Sequence, residues 1–192
     1  MGAGETFAAA LQALKQSLDA LEAPFAVIGG IAVIFQGVPR ATTDVDALVW
    51  GPAVDLDDLL HSLREFGIQP RVPDAAEFAR RNQVLLLRHE TSDTPIDLSL
   101  AWLPFEHEAL TRAEAVDFHG VEIPIATPED LVIQKAVAFR FRDRDDIERL
   151  LVLHGQKIDL ARVRRVVAEF ATVLQDPERV QDLDELIRRS YD

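Results

Sequence analysis

Residues Gly29–Trp50 read GGIAVIFQGVPRATTDVDALVW, and the fold and chemistry of the chain are inferred from this segment. An Asp-x-Asp pair, Asp44 and Asp46, leads into an apolar run. If both aspartates lie on one strand, their side chains point to the same face, with α-carbons about 6–7 Å apart. Two such carboxylates can share hard divalent cations, and Mg²⁺ prefers a few carboxylates plus substrate phosphates to an all-protein cage.

The glycine pair, Gly29 and Gly30, stands where a strand over Phe25–Ile28 would turn into a helix. Without Cβ atoms, the backbone there can approach a phosphate and direct N–H groups at it, and a helix N-terminus adds positive potential. Attack on a nucleoside triphosphate requires both a phosphate-binding turn and metal-holding carboxylates. The segment therefore predicts a reaction that uses a nucleoside triphosphate (NTP).

The run before the second strand alternates in a way that favours a site. If the chain is extended from Arg40 to Asp46, then Arg40, Thr42, Asp44 and Asp46 share one face. A cation, a hydroxyl and two carboxylates at the mouth of a buried strand are hard to explain by packing, because unpaired buried acids are costly. The alternative is an acidic pair in a solvated turn.

Asp97 is the predicted third carboxylate. In the strand predicted over Pro95–Ala101, three aliphatic residues alternate with Asp97 and Ser99, so the acid emerges on the opposite face. Two-metal phosphoryl transfer takes ligands from more than one strand. Asp97 could ligate a metal and accept the proton of an attacking hydroxyl. The alternative is an edge-strand aspartate that faces water.

Lys135 falls on a helical stripe that otherwise predicts a core-facing surface. A lysine there must extend outward or meet an anion, which is either a triphosphate or the partner in a structural salt bridge. The Arg-Asp-rich run Arg140–Asp146 is equally compatible with a junction of local ion pairs and with arginines that contact phosphates.

The element pattern predicts a mixed α/β fold. Residues 1–126 alternate short strands and helices, whereas 127–192 are helical, so we expect an α/β core and a C-terminal helical subdomain packed on it. Residues 83–101 predict a hairpin whose first strand, Gln83–His89, is buried on both faces. Thr127-Pro128 predicts a capped helix that runs to about Arg142.

Composition bounds the function. The 192-residue chain has no cysteine and no apolar run long enough to cross a bilayer, which favours a cytoplasmic protein. The formal net charge of −13 argues mildly against nucleic acid as a partner. However, Lys135–Arg165 contains nine basic and five acidic residues, and this basic excess could hold an anionic substrate. Surface helices with solvated charges explain the same asymmetry.

The motifs together resemble the nucleotidyltransferases of the DNA polymerase β superfamily, and within them the AbiEii-like branch of bacterial toxin-type proteins. The first shared block is a glycine pair, a small hydrophobic helix, a glycine and Arg-x-Thr-x-Asp-Val-Asp, here Gly29, Gly30, Gly37, Arg40, Thr42, Asp44 and Asp46. A third acid on a later strand matches Asp97, and Thr127–Leu131 with Lys135 and the run up to Asp146 resembles a second block.

The resemblance implies a polymerase-β-type core with a mixed sheet flanked by helices, and a metal-dependent transferase. With Mg²⁺ or Mn²⁺, such an enzyme moves a nucleoside monophosphate (NMP) from an NTP to RNA, such as tRNA, to a protein or to a small molecule. Some relatives are toxins paired with an antitoxin protein. Asp44, Asp46 and Asp97 would hold metal and be catalytic, whereas Gly29, Gly30, Arg40, Thr42 and Lys135 would bind the nucleotide.

Two other functions stay open. The fold could serve as a nucleotide-binding or protein-interaction module without turnover, although the intact set of three acids favours an enzyme. It could also modify a small molecule, as antibiotic nucleotidyltransferases do. The acidic body of the chain favours a cationic small molecule, and the basic segment favours RNA.

Overall fold

The computed structural model describes residues 3–191 and divides the chain into two compact units. The first unit contains the residues up to Ala32 together with Ala41–Ala126. The second contains Val33–Arg40 and the residues from Thr127 onward, so a piece of the N-terminal segment belongs to the helical unit. Helix α2, Gly29–Phe35, carries the chain from one unit to the other.

The first unit is built on a seven-stranded mixed sheet. Its strands are β1 Phe25–Ile28, β2 Val45–Trp50, β3 Ile68–Pro70, β4 Val84–His89, β5 Thr94–Ala101, β6 Glu114–Phe118 and β7 Val121–Ile125. Their order in the sheet is β3-β4-β5-β2-β1-β7-β6. The pairs β2/β5 and β1/β7 are parallel, and the other neighbours are antiparallel. The mixed α/β prediction is therefore confirmed.

The helices of this unit form where local signals are strong. They are α1 Ala3–Asp19, α3 Leu56–Glu65, α4 Ala75–Asn82 and α5 Pro104–Arg112. Asp55 caps α3 by accepting hydrogen bonds from the backbone of Asp57 and Asp58, at 2.8 and 3.2 Å. Helix α1 contacts β2, β5 and β7, and α5 contacts β1 and β2.

The two faces of the central strands differ in burial. One face of β5 presents Ile96, Leu98 and Leu100 to the core, and Asp97 emerges half-buried on the other face. On that other face, Leu110 of α5 packs with Ala26 and Leu48, so this helix covers part of it. The acidic side chains lie outside this apolar cluster.

Strand β4 corrects one prediction. It is an interior strand of the sheet, but it is not buried on both faces, because buried and half-exposed residues alternate along it. Leu85 and Leu87 are fully buried, whereas Val84 and Leu86 stay half-exposed on the face that carries Asp97. An apolar run alone could not distinguish these two situations.

The second unit is helical. Its helices are α6 Pro128–Ala138, α7 Phe141–His154, α8 Leu160–Leu174 and α9 Glu178–Tyr191. Thr127 caps α6, with its Oγ1 accepting from the backbone N of Asp130 at 3.2 Å and donating to the Asp130 carboxylate at 2.6 Å. Within residues 3–191, the helices lack the combination of length and hydropathy that a bilayer-spanning segment needs.

The prediction that the Thr127-capped helix continues to Arg142 is wrong. Helix α6 ends at Ala138, and Phe139 adopts a left-handed conformation with φ of 49°. The guanidinium carbons of Arg144 and Arg179 lie 4.6 and 4.7 Å from the centroid of the Phe139 ring. These cation–π contacts hold the ring where the chain turns, and they offset part of the backbone strain.

Candidate active site

Two of the predicted acids are neighbours in the sheet. Asp46 on β2 and Asp97 on β5 are directly paired across parallel strands. Neighbouring strands lie about 4.8 Å apart, and paired residues point to the same face. Asp44 precedes β2, half-buried like the other two. The site is thus assembled from two strands that are separated in sequence by two others.

Gly29 makes room for the carboxylate of Asp46. Ile28 pairs with Asp46, so the first residue of α2 lies beside this side chain. An ideal Cβ on Gly29 would stand 2.0 Å from Oδ2 of Asp46, and Gly29 has a φ of +61°. No side chain fits that space, and L residues rarely adopt that φ. Gly30, in the same first turn, is buried.

Thr42 contacts the first aspartate of the motif. Its Oγ1 donates to Oδ1 of Asp44 at 2.9 Å, which orients one carboxylate oxygen. Strand β2 begins only at Val45, so Arg40, Thr42 and Asp44 lie outside any strand, and the expected strand alternation from Arg40 to Asp46 is not formed. Thr42 reaches Asp44 by a local contact two residues along the chain.

The carboxyl group of Asp97 has a pKa above its usual value. Burial raises the pKa of its carboxyl, the neighbouring guanidinium of Arg71 opposes that rise, and the negative charge of Asp44 adds to it. Nη2 of Arg71 donates to Oδ1 of Asp97. Asp44 is therefore close enough for its charge to be felt at Asp97, and the two carboxylates repel each other.

The acids fit a hard divalent cation in type. Carboxylate oxygens are the ligands that Mg²⁺ prefers, and one or two carboxylates suffice when substrate phosphates and waters complete the shell. Repulsion between Asp44 and Asp97 is what a cation would relieve. Among residues 3–191, however, no three His, Cys, Asp or Glu side chains are grouped closely enough to hold a metal ion as they stand. The acids therefore match a hard cation in ligand type but not in their present grouping.

The other two predicted nucleotide-binding residues meet in the second unit. Nζ of Lys135 and Nη1 of Arg40 lie 2.6 and 2.5 Å from the same oxygen, Oδ2 of Asp146. Lys135 and Asp146 are buried, and Oδ1 of Asp143 lies 3.6 Å from the Lys135 ammonium. A structural salt bridge was one of the two alternatives predicted for Lys135, and Asp146 is the anion that forms it.

Sequence reasoning missed two residues of these clusters. Arg71 lies in a Pro-rich stretch, QPRVP, that carries no motif. Asp146 stood in an Arg-Asp run without a signal that set it apart from Asp143 or Asp145. Both are identified only by contacts between residues distant in sequence.

Comparison with known structures shows the fold. A solution structure of the antibiotic-resistance factor ANT(2″)-Ia matches with a TM-score of 0.59 at 16% identity, over 90% of this chain and 96% of that chain. A crystal structure of ANT(2″)-Ia in complex with adenylyl-2″-tobramycin matches with a TM-score of 0.57 at 16% identity, over 86% and 97%. No curated protein sequence matches the chain.

The sequence itself shows the family. Residues 5–191 match the family described as "Nucleotidyltransferase of unknown function (DUF6036)", which is almost the whole chain. The mixed sheet and its match to a nucleotidyltransferase-type fold agree with that assignment. The chain therefore belongs to the DUF6036 family of nucleotidyltransferases.

Proposed function

We propose that this protein transfers an NMP from an NTP to a hydroxyl acceptor in a divalent-cation-dependent reaction. The observation that carries the proposal is the cross-strand pair of Asp46 and Asp97, with Asp44 close enough for its charge to act on Asp97. Half-buried carboxylates that lie near one another are a common feature of cation and substrate sites.

Asp44, Asp46 and Asp97 would hold Mg²⁺ or Mn²⁺. When bound, the cation would neutralise charge on the triphosphate and stabilise the leaving oxygen. Thr42 orients Asp44 through its hydroxyl, at 2.9 Å from Oδ1. The backbone N–H groups of Gly29 and Gly30 would seat the phosphates, as the resemblance implies, since both glycines lie in the first turn of α2 beside Asp46.

The proposed reaction forms one bond to phosphorus and breaks another. The acceptor oxygen forms a bond to the α-phosphorus, the bond from that phosphorus to the bridging oxygen breaks, and pyrophosphate leaves. The hydroxyl proton passes to the carboxylate of Asp97, which lies on the strand beside Asp46. Arg40 and Lys135 both engage Asp146, and these steps use neither of them.

RNA such as tRNA, or a protein, is the proposed acceptor, within an AbiEii-like cytoplasmic toxin that a cognate antitoxin restrains. That proposal rests on the sequence motifs. The basic excess of Lys135–Arg165 supports RNA less than its count suggests, because Lys135 and Arg162 are taken up by Asp146 and Asp130. The likeness to ANT(2″)-Ia makes an aminoglycoside the second acceptor class to test.

The decisive experiment incubates the protein with Mg²⁺, each α-³²P-labelled NTP in turn and one of three acceptors: bacterial RNA, total protein or an aminoglycoside. Asp46→Asn is the test variant. The matched control is Asp93→Asn, which removes an exposed aspartate of the β4–β5 turn that pairs with Arg88. Asp93 has a φ of 54°, a conformation that asparagine tolerates.

We expect label on one acceptor class, lost by several orders of magnitude in Asp46→Asn and retained in Asp93→Asn. The labelled class names the acceptor, and the active NTP names the base. If the protein binds NTP but labels none of the acceptors and releases no pyrophosphate, the transferase is refuted and a nucleotide sensor is favoured. Full activity in Asp46→Asn would remove this residue from the site.

A further inference from the structure

The proposed reaction leaves one charged residue of the site without a role. Arg71 is partly exposed, and its guanidinium contacts the carboxylate of Asp97. No motif predicted it, and the scheme for nucleotidyl transfer does not use it. Asp97 is a proposed metal ligand, so the positive charge of Arg71 beside it requires a physical explanation.

The sheet holds Arg71 in this position. Its backbone N donates to the carbonyl of Leu86 at 2.8 Å, which extends the pairing of β3 with β4 by one residue. Leu86 in turn pairs with Asp97 on β5. Arg71, Leu86, Asp97 and Asp46 therefore form one row across four strands, with side chains on one face.

The contact makes the two carboxylate oxygens of Asp97 inequivalent. Arg71 takes Oδ1, and no group among residues 3–191 donates to Oδ2. One oxygen is thus fixed by a cation of the protein, and the other is left for a ligand. An arginine keeps its positive charge at every working pH, so this compensation is permanent.

Resting on the proposed function, we propose that Arg71 is a positioning residue and built-in counter-ion of the site. Its guanidinium holds Oδ1 of Asp97 and opposes the binding of a free divalent cation to the same carboxylate. The cation then enters with the negatively charged triphosphate, which offsets the charge of Arg71. In this scheme the arginine makes metal loading depend on the nucleotide.

An ordinary surface ion pair is the competing explanation, and such pairs contribute little to stability. The two explanations differ in the sign of one measurable effect. If the arginine only supports local structure, its removal leaves metal affinity unchanged or weakens it. If it opposes the cation, its removal strengthens metal binding.

The test is the dissociation constant of Mn²⁺ without nucleotide, measured by electron paramagnetic resonance and calorimetry. The variants are Arg71→Ala, Arg71→Lys, Asp97→Asn and the double variant Arg71→Ala with Asp97→Asn. Arg88→Ala is the matched control, because Arg88 makes a similar surface ion pair, 2.6 Å from Asp93, and contacts none of the three acids. Thermal melts verify that each variant is folded.

We expect Arg71→Ala to tighten Mn²⁺ binding about tenfold, the size of removing one charge beside a divalent ion in a water-like dielectric. Arg71→Lys keeps the charge and stays near wild type, as does Arg88→Ala. In the Asp97→Asn background, Arg71→Ala has a smaller effect, because the carboxylate no longer holds the guanidinium beside the cation.

The failures of the two proposals are distinguishable. If Mn²⁺ binding depends on Asp97 but has the same dissociation constant in wild type and Arg71→Ala, the counter-ion role of Arg71 is refuted and the metal site is not. Weaker binding in Arg71→Ala also overturns the counter-ion role, in favour of a structural role. Absence of Mn²⁺ binding in every variant, with and without NTP, overturns the proposed metal site and this inference together.

Discussion

Replacing Asp146 by asparagine tests whether the Arg40–Lys135–Asp146 cluster is structural. The substitution keeps the shape of the side chain and removes its charge. Two cations now share one oxygen of Asp146, at 2.5 and 2.6 Å. Without the carboxylate, the anion that remains near the buried Lys135 ammonium within residues 3–191 is Asp143, at 3.6 Å.

The burial of the Lys135–Asp146 pair determines how much stability the substitution removes. The Asp146 and Lys135 side chains are only 4% and 8% exposed, so water cannot replace the lost partner. Breaking a buried ion pair from one side costs about 3–5 kcal/mol, and the remaining Asp143 favours the lower end, about 3 kcal/mol. For a chain of this length, that corresponds to a fall in melting temperature of about 6–12 °C.

The assay is thermal unfolding of matched variants, followed by NTP titration calorimetry. Asp145→Asn is the control, because the neighbouring Asp145 pairs with Arg149 while their side chains are 60% and 52% exposed. That exposed pair contributes less than about 1 kcal/mol. Adding Lys135→Met to Asp146→Asn removes the stranded charge, so the double variant recovers part of the loss.

Equal melting temperatures for Asp146→Asn and Asp145→Asn would refute this reasoning. A second refuting result is a Lys135→Met variant of unchanged stability with strongly weakened NTP binding. Lys135 would then bind the nucleotide directly, as the sequence motif predicts, and its contact with Asp146 would be one that the substrate replaces.

Three further predictions concern single residues. Gly29→Ala is expected to lose activity and at least about 1 kcal/mol of stability in a melt, because the new Cβ would overlap the Asp46 carboxylate at a left-handed φ; a fully active, equally stable variant would contradict this. Burial raises the pKa of Asp97, so stability falls as pH rises through that titration. Asp97→Asn in metal-free buffer should therefore raise the melting temperature at pH 7 and lose this gain below about pH 4. Thr127→Ala should cost about 1 kcal/mol in urea unfolding, since it removes the cap hydrogen bond to Asp130, and no change would show that the cap is dispensable.

Local pattern was enough to predict several elements. Strand β1 has the predicted bounds, because a short apolar run lies between Pro24 and the glycine pair. Alternation correctly predicted that Asp97 lies opposite the aliphatic side of β5. Both features depend only on residues within a few positions of each other, where side-chain period and turn residues carry the signal.

Contacts between distant residues could not be predicted in the same way. The register that pairs Asp46 with Asp97 depends on β5 joining β2 rather than staying in a separate hairpin. Arg71 and Asp97 are 26 residues apart, and Arg40 and Asp146 are 106 apart. The left-handed Phe139 was also not predictable, since the helical period continues through it, and one of the two arginines on its ring, Arg179, is distant in sequence.

The site carries a cost that a purely structural sheet would not need. Asp97 is desolvated and repelled by Asp44, and the Arg71 guanidinium offsets only part of this; asparagine in its place would avoid both effects. Gly29 gives up a side chain so that Asp46 has space. Desolvated carboxylates persist in functional sites when the substrate and its cation, absent during folding, compensate their cost on binding. A stability gain of Asp97→Asn in the metal-free protein would measure that cost at this site.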